Sequence, residues 1–148
     1  MDPLEHLLAE RACERLILDF VHRLDLGEPA TVAELFTADG GWEWPAGGRR
    51  IEGREALRRY FGSRPADRLS RRLMSNILVT PASPDTATAT SYFTTYRVDG
   101  YDGGMVPAGP PTQVGHYEDT FRKVDGVWLL ASRVLFLPFG GETSRLTR

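Results

Sequence analysis

The chain has 148 residues, 41% hydrophobic and 26% charged, the composition of one soluble globular domain with a core of ordinary size. Its formal net charge of −2 argues against a nucleic-acid or anionic-membrane surface, both of which normally show a basic stripe. A single cysteine, Cys13, allows no internal disulfide, and His6, His22 and His116 are too dispersed for a metal motif, so neither a metal nor an organic cofactor is expected.

The first residues carry acids and lack a basic region ahead of an apolar run, unlike a secretory signal. No stretch approaches the roughly 20 apolar residues of a membrane span, and a cytoplasmic location is expected. Asp2-Pro3-Leu4-Glu5 has the form of a capped helix start. The helix it opens carries Leu8, Cys13, Leu16, Ile17, Phe20, Val21 and Leu24 on one stripe and ends at Gly27, a natural C-terminal cap. Asp25 falls at the border of that stripe and His22 on the opposite side. A second, shorter helix is predicted from Thr31, where "TVAE" is a capping box, through Val32, Leu35 and Phe36 to a turn at "ADGG". "WEWP" and "RRIEG" make a hairpin, and "GREALRRYF" a third helix.

The second half reads as four long strands, "RRLMSNILVT", "TATATSYFTTYRV", "TQVGHYEDTFRKV" and "VWLLASRVLFLP". The tight connections "ASPD" and "DG" make neighbours antiparallel, while the Gly- and Pro-rich "DGYDGGMVPAGPP" is a longer loop. Helices first and a meander behind is the order of an α+β domain, here one unit over residues 1–148 with 140–148 a flexible tail.

Alternation along strands sets which side chains look inward. His116, Glu118, Thr120 and Arg122 form a polar face, which turns Tyr117, Asp119 and Phe121 toward the helices. In the first long strand Arg72, Met74, Asn76 and Leu78 alternate against Arg71, Leu73, Ser75, Ile77 and Val79, and periodicity does not choose between them. Tyr92 and Tyr96 share a face with Thr88, Thr90 and Thr94; they either join Trp42, Trp44 and Tyr117 around a ligand or lie on an outer surface. The last strand is apolar on both faces, and a homodimer is the simplest cover for the second.

The order of elements, with "LDLGEPATVAELFTADGGWEW", "EGREALRRYF", "RRLMSNILV" and "GHYEDTFRKVDGVWLLASR", resembles the SnoaL-like branch of the NTF2-like superfamily over nearly the whole chain. That resemblance implies a cone: a curved, mostly antiparallel sheet wrapped by three helices of the N-terminal half around an apolar pocket. Members include scytalone dehydratase, bile-acid dehydratase, steroid isomerase, epoxide hydrolases and polyketide cyclases, so the likeness implies a pocket and leaves the chemistry open. In dehydratase-type members a Tyr and an Asp on the first helix, a His on the strand that follows the third helix, and an Arg near the end line the pocket. Phe20 stands in the place of the Tyr, Asp25 matches the Asp, Arg72 replaces the His, and Arg133 matches the Arg. Asn76 matches an Asn four residues after the His, which turns the Arg72 face toward the cavity.

A guanidinium with a pKa above ~12 cannot act as a base near neutrality, so the His–Asp dyad is absent. The resemblance then implies a cofactor-independent dehydratase, isomerase or cyclase that moves a proton on a small, largely apolar, polyketide- or steroid-like metabolite. Asp25 would be the proton acceptor or donor, Arg72 the oxyanion holder and Asp119 a secondary acid or base, with Phe20, Trp42, Asn76, Tyr117 and Arg133 contacting the substrate. Two alternatives stand beside this. Asp25 and Arg72 form a buried ion pair that fixes helix to sheet, with Asp119 pairing an arginine such as Arg133 or Arg97; or the protein is a ligand-binding or accessory protein that keeps the cavity without the dyad.

Overall fold

In a computed structural model, which describes residues 1–147, the capping box at the start of the chain is complete. Glu5 N–H donates to Asp2 Oδ1 at 2.8 Å and Asp2 N–H to Glu5 Oε2 at 3.3 Å, with Pro3 in the first helical turn. Helix α1 (Pro3–Asp25) buries Ala9, Cys13, Leu16, Ile17, Phe20 and Leu24. Leu8, expected on the buried stripe, is exposed, and Ala9 takes its place.

The second helix differs from expectation. It is a 3-10 segment, Pro29–Leu35, that begins two residues early with no side-chain cap; the Thr31 hydroxyl donates back to the Glu28 carbonyl at 2.6 Å instead of capping ahead. Phe36 already belongs to strand β1 (Phe36–Trp44), so the turn expected at residues 38–41 lies inside a strand. Its ladder is nonetheless broken there: between the pairs Phe36–Leu130 and Gly41–Ser132, four residues intervene on β1 and one on the partner. A turn Pro45–Gly47 leads to β2 (Arg49–Glu52), with Gly48 at φ 65°, and closes the expected hairpin. Helix α2 (Arg54–Gly62) follows.

Strands β3 (Leu69–Ser83), β4 (Thr86–Asp99), β5 (Gln113–Val124) and β6 (Val127–Gly140) form the antiparallel meander. The sheet order is β2-β1-β6-β5-β4-β3, with β1 parallel to β6. The end of the chain, read from sequence as a tail, carries a short strand β7 (Ser144–Arg145) that pairs parallel with the end of β4, where the ladder to β5 has run out. The curved, mostly antiparallel sheet wraps α1, which packs on β3, β6 and the 3-10 segment. Cys13, Ile17 and Phe20 meet Phe36, Phe93, Phe121 and Leu130 in the core. Burial, and secondarily Asp119 and Glu14, push the Cys13 thiol up to about 12, which leaves it a packing group rather than a nucleophile.

One extra residue changes β3. Ser75 pairs with Tyr92 and Leu78 with Thr90, so two residues intervene on β3 against one on β4, and Asn76 takes up the bulge at φ 50°. Parity reverses beyond it. Met74 packs on the core and Val79 is buried, but Leu78 is 65% exposed and Asn76 faces solvent, so the four residues read as one face do not share one.

Gly115 lies at a register shift between β5 and β6, where an added Cβ would overlap the Phe136 carbonyl oxygen and come within 2.9 Å of Phe93 Cζ. Gly115→Ala is expected to destabilise the fold by about 1–3 kcal/mol, as overpacking does. A urea unfolding curve checks this, and an unchanged midpoint would refute the close packing.

Candidate functional site

A cavity of about 360 Å³ opens between α1, α2, β1 and the inner face of the sheet. One wall is apolar and aromatic. Phe20 and Leu24 enter from α1, Trp42 from β1, Phe61 from α2, Tyr117 from β5 and Leu135 from β6. The rings brace one another: Phe20 meets Phe61 edge-on at 5.5 Å, Trp42 lies 5.2 Å from Tyr60, and Phe93 lies 4.7 Å from Tyr117.

The other wall carries arginine. Arg49, Arg64, Arg68, Arg72 and Arg97 line the cavity, and among the described lining residues none is a carboxylate or an imidazole. Arg49 donates to the Tyr60 hydroxyl at 3.0 Å, and Arg68 makes a two-point pair with Asp99 at 2.7 and 3.1 Å. The hydrogen bond from Arg68 holds the Asp99 carboxyl below its ordinary range. Arg72 extends over the Phe93 ring at 6.0 Å, and its Nε and Nη1 are buried without a partner.

Asp25 stands just behind this wall. Its Oδ2 accepts the Arg72 backbone N–H at 2.7 Å and its Oδ1 the Ser70 hydroxyl at 2.6 Å; Ser70 in turn accepts from Arg64 Nη2 at 2.6 Å. The carboxylate therefore grips the Arg72 main chain, and the expected ion pair with the Arg72 guanidinium is not formed.

Beneath the aromatic wall lies a second charged group. Arg133 Nε and Nη2 donate to Asp119 Oδ1 and Oδ2 at 2.8 and 2.9 Å, with both side chains 0% exposed. The guanidinium is sandwiched by rings, 3.9 Å from the Tyr117 centroid and 4.5 Å from that of Phe20. Burial works against its charge, but the Asp119 carboxylate outweighs burial and raises the Arg133 pKa above its ordinary value.

A family model for the SnoaL-like domain matches residues 5–134. The chain belongs to the SnoaL-like family. No curated protein matches it. Among solved structures, this SnoaL-like chain is similar to a protein of unknown function from Mycobacterium tuberculosis, at 26% identity and a TM-score of 0.73 over 88% of this chain and 77% of that one. It is also similar to a scytalone dehydratase candidate from Novosphingobium aromaticivorans, at 25% identity and a TM-score of 0.70 over 94% and 93% of the two chains. Hexachlorocyclohexane dehydrochlorinase LinA-type3 from Novosphingobium barchaimii, at 15% identity and a TM-score of 0.72 over 93% and 92%, shares the fold alone.

In this SnoaL-like domain Phe20, Trp42, Arg72 and Tyr117 reach the cavity wall. Asp25 adjoins that wall, Asp119 and Arg133 are sealed below it, and Asn76 lies outside. Sequence reading missed Arg64 and Arg68, and it offered Arg97 only as a partner of Asp119, whereas Arg97 lines the cavity and Arg133 pairs with Asp119. The parity of β4 held a signal, since Arg97 shares the inward face of Phe93 and Thr95. Arg64 and Arg68 fall in a connection that carries no period.

Asp119→Asn leaves a buried guanidinium without a countercharge and is expected to cost roughly 3–5 kcal/mol. The double change Asp119→Leu with Arg133→Met removes both charges and should recover most of that loss in chemical denaturation. Equal stability of the wild type and the single variant would refute the enclosure of the pair.

Proposed function

We propose that this protein is a cofactor-independent pocket enzyme, a dehydratase, isomerase or cyclase that moves a proton on a small molecule, with Arg72 as its oxyanion holder. One observation carries the reading: Arg72 Nε and Nη1 are buried without a partner on a residue that lines the cavity. Donors fixed in place before charge develops on an enolate or alkoxide oxygen are the usual means of lowering such a barrier. Asp25 is the proton acceptor or donor in this reading. It is only partly buried, and one hydrogen bond to each carboxylate oxygen leaves further acceptor capacity on both.

Phe20, Trp42 and Tyr117 are proposed to hold the substrate body. Asp119 takes no part, because its carboxylate is enclosed and gripped at both oxygens by Arg133. The likeness to a scytalone dehydratase candidate supports the reaction class. A second reading, a binding or accessory protein, is favoured by one observation: the described cavity lining includes no carboxylate or imidazole.

Mass spectrometry of compounds co-purifying with the native protein supplies the molecule to assay. Against it, Arg72→Gln and Asp25→Asn are each expected to lower kcat by about a hundredfold or more while the melting temperature stays within a few degrees. Recovery of that compound chemically unaltered by the wild type would favour the binding reading.

We also infer a homodimer formed through the outer face of the sheet. Leu73, Leu78, Tyr92 and Phe136 are exposed there at 55%, 65%, 53% and 37%, and His116 stacks on Phe136 at 4.7 Å. Sedimentation should give twice the 16.5 kDa chain mass, and Leu78→Glu should return it to one chain. A wild-type monomer at high micromolar concentration would refute this.

A further inference from the structure

The cavity gathers charge of one sign. Arg64, Arg68, Arg72 and Arg97 line it together, and two carboxylates answer them. Asp99 is held by Arg68, and Asp25 reaches Arg64 only through the Ser70 hydroxyl. Among the described residues, Arg68 is paired by Asp99, and neither Arg72 nor Arg97 forms an ion pair of its own. The two are diagonal neighbours on the inner face, since Ser70 pairs with Arg97 and Arg72 with Thr95. Arg97 donates its Nε to the Thr143 hydroxyl at 2.7 Å. Burial, reinforced by Arg68, Arg72 and Arg64, pushes its pKa down to about 10. Arg64 is lowered as well, first by burial and then by Arg72.

Hydrogen-bonding capacity points the same way. Arg72 Nε, Arg72 Nη1 and the Trp44 indole Nε1 are buried without partners, and both residues line this cavity. All three atoms can only donate. A fringe of solvated arginines would have its donors met by water and its charges screened; this group has buried donors and mutual repulsion, an arrangement that a ligand rich in acceptors completes.

We propose that the cavity takes an amphipathic oxyanion, a carboxylate- or phosphate-bearing compound whose head lies between Arg64 and Arg97 beside the Arg72 donors, and whose ring-sized apolar body packs against Trp42, Phe61 and Leu135. The inference rests on the pocket reading above and adds the charged group that the substrate carries. A volume of about 360 Å³ lies at the small end of ligand sites, which run from roughly 300 to 1,000 Å³, and suits a body of two fused rings rather than four.

The test is isothermal titration of the full chain with 2-naphthoate, 2-naphthyl phosphate and the uncharged 2-naphthamide, in the wild type, Arg72→Gln and Arg97→Gln. At least one anion is expected to bind about tenfold or more tightly than the amide, and the better anion identifies the head group. That preference should shrink toward unity in both variants and in about 0.5 M salt. The melting temperature of ligand-free Arg72→Gln should hold or rise, because a like-charge neighbour has gone, and that of Arg97→Gln, which also gives up the Thr143 contact, should stay within a few degrees. Should the amide bind as well as both anions, the oxyanion inference fails while the pocket reading stands. A preference surviving in both variants would overturn the assignment to these arginines. If the folded wild type binds none of the three, the inference and the pocket reading fall together.

Discussion

A single guanidinium ties the helix, two strands and the cavity floor together. Asp119 and Arg133 face each other directly across β5 and β6, and the Arg133 plane lies against Phe20 of α1 and Tyr117 of β5. Taking two charges fully out of water is costly, and the arrangement holds because the pair is bidentate and its open faces are covered by rings. The same two rings form part of the cavity wall above. The position of the cavity-facing aromatics therefore depends on a pair that does not line the cavity itself.

Above that floor the cavity divides into an aromatic side and a basic side, and the division follows from which elements supply each. Helix faces and inward strand positions bring Phe20, Phe61 and Leu135, whose burial is ordinary core formation. Arg49 comes from β2, and the other arginines come from the connection after α2 and from the start of β3 and the end of β4. Asp25 joins the two sides. Through Ser70 and the Arg72 main chain it fastens the end of α1 to β3, and so fixes where the Arg72 side chain starts.

Much of this was legible in short patterns. The Asp2–Glu5 capping box, the apolar stripe of α1, the antiparallel meander and the inward turn of Asp119 each depend on a few neighbouring residues, and each is found. Bulges defeat such reading. One extra residue at Asn76 sends Leu78 outward, and another at Ala131 brings Arg133 to the same inner face as Leu130, although an odd number of positions separates them. Strict alternation would place Arg133 outside. The break in β1 near Gly40, where a Cβ would come within 3.0 Å of Phe36 Cβ, explains why a glycine pair read as a turn sits within a strand. The arginine group was hidden for a different reason: its members are scattered in sequence, and only the β3–β4 register and the path after α2 gather them.

The end of the chain closes the structure. Leu146 N–H donates to the Asp99 carbonyl at 2.8 Å, Arg145 reaches Asp67 at 3.1 Å, and Thr143 accepts from Arg97. These residues clasp the connection after α2 and the end of β4, both of which supply cavity-lining arginines, and Thr143 holds Arg97 directly. Loosening residues 143–146 would therefore be felt first at Arg97 on the cavity wall rather than in the core.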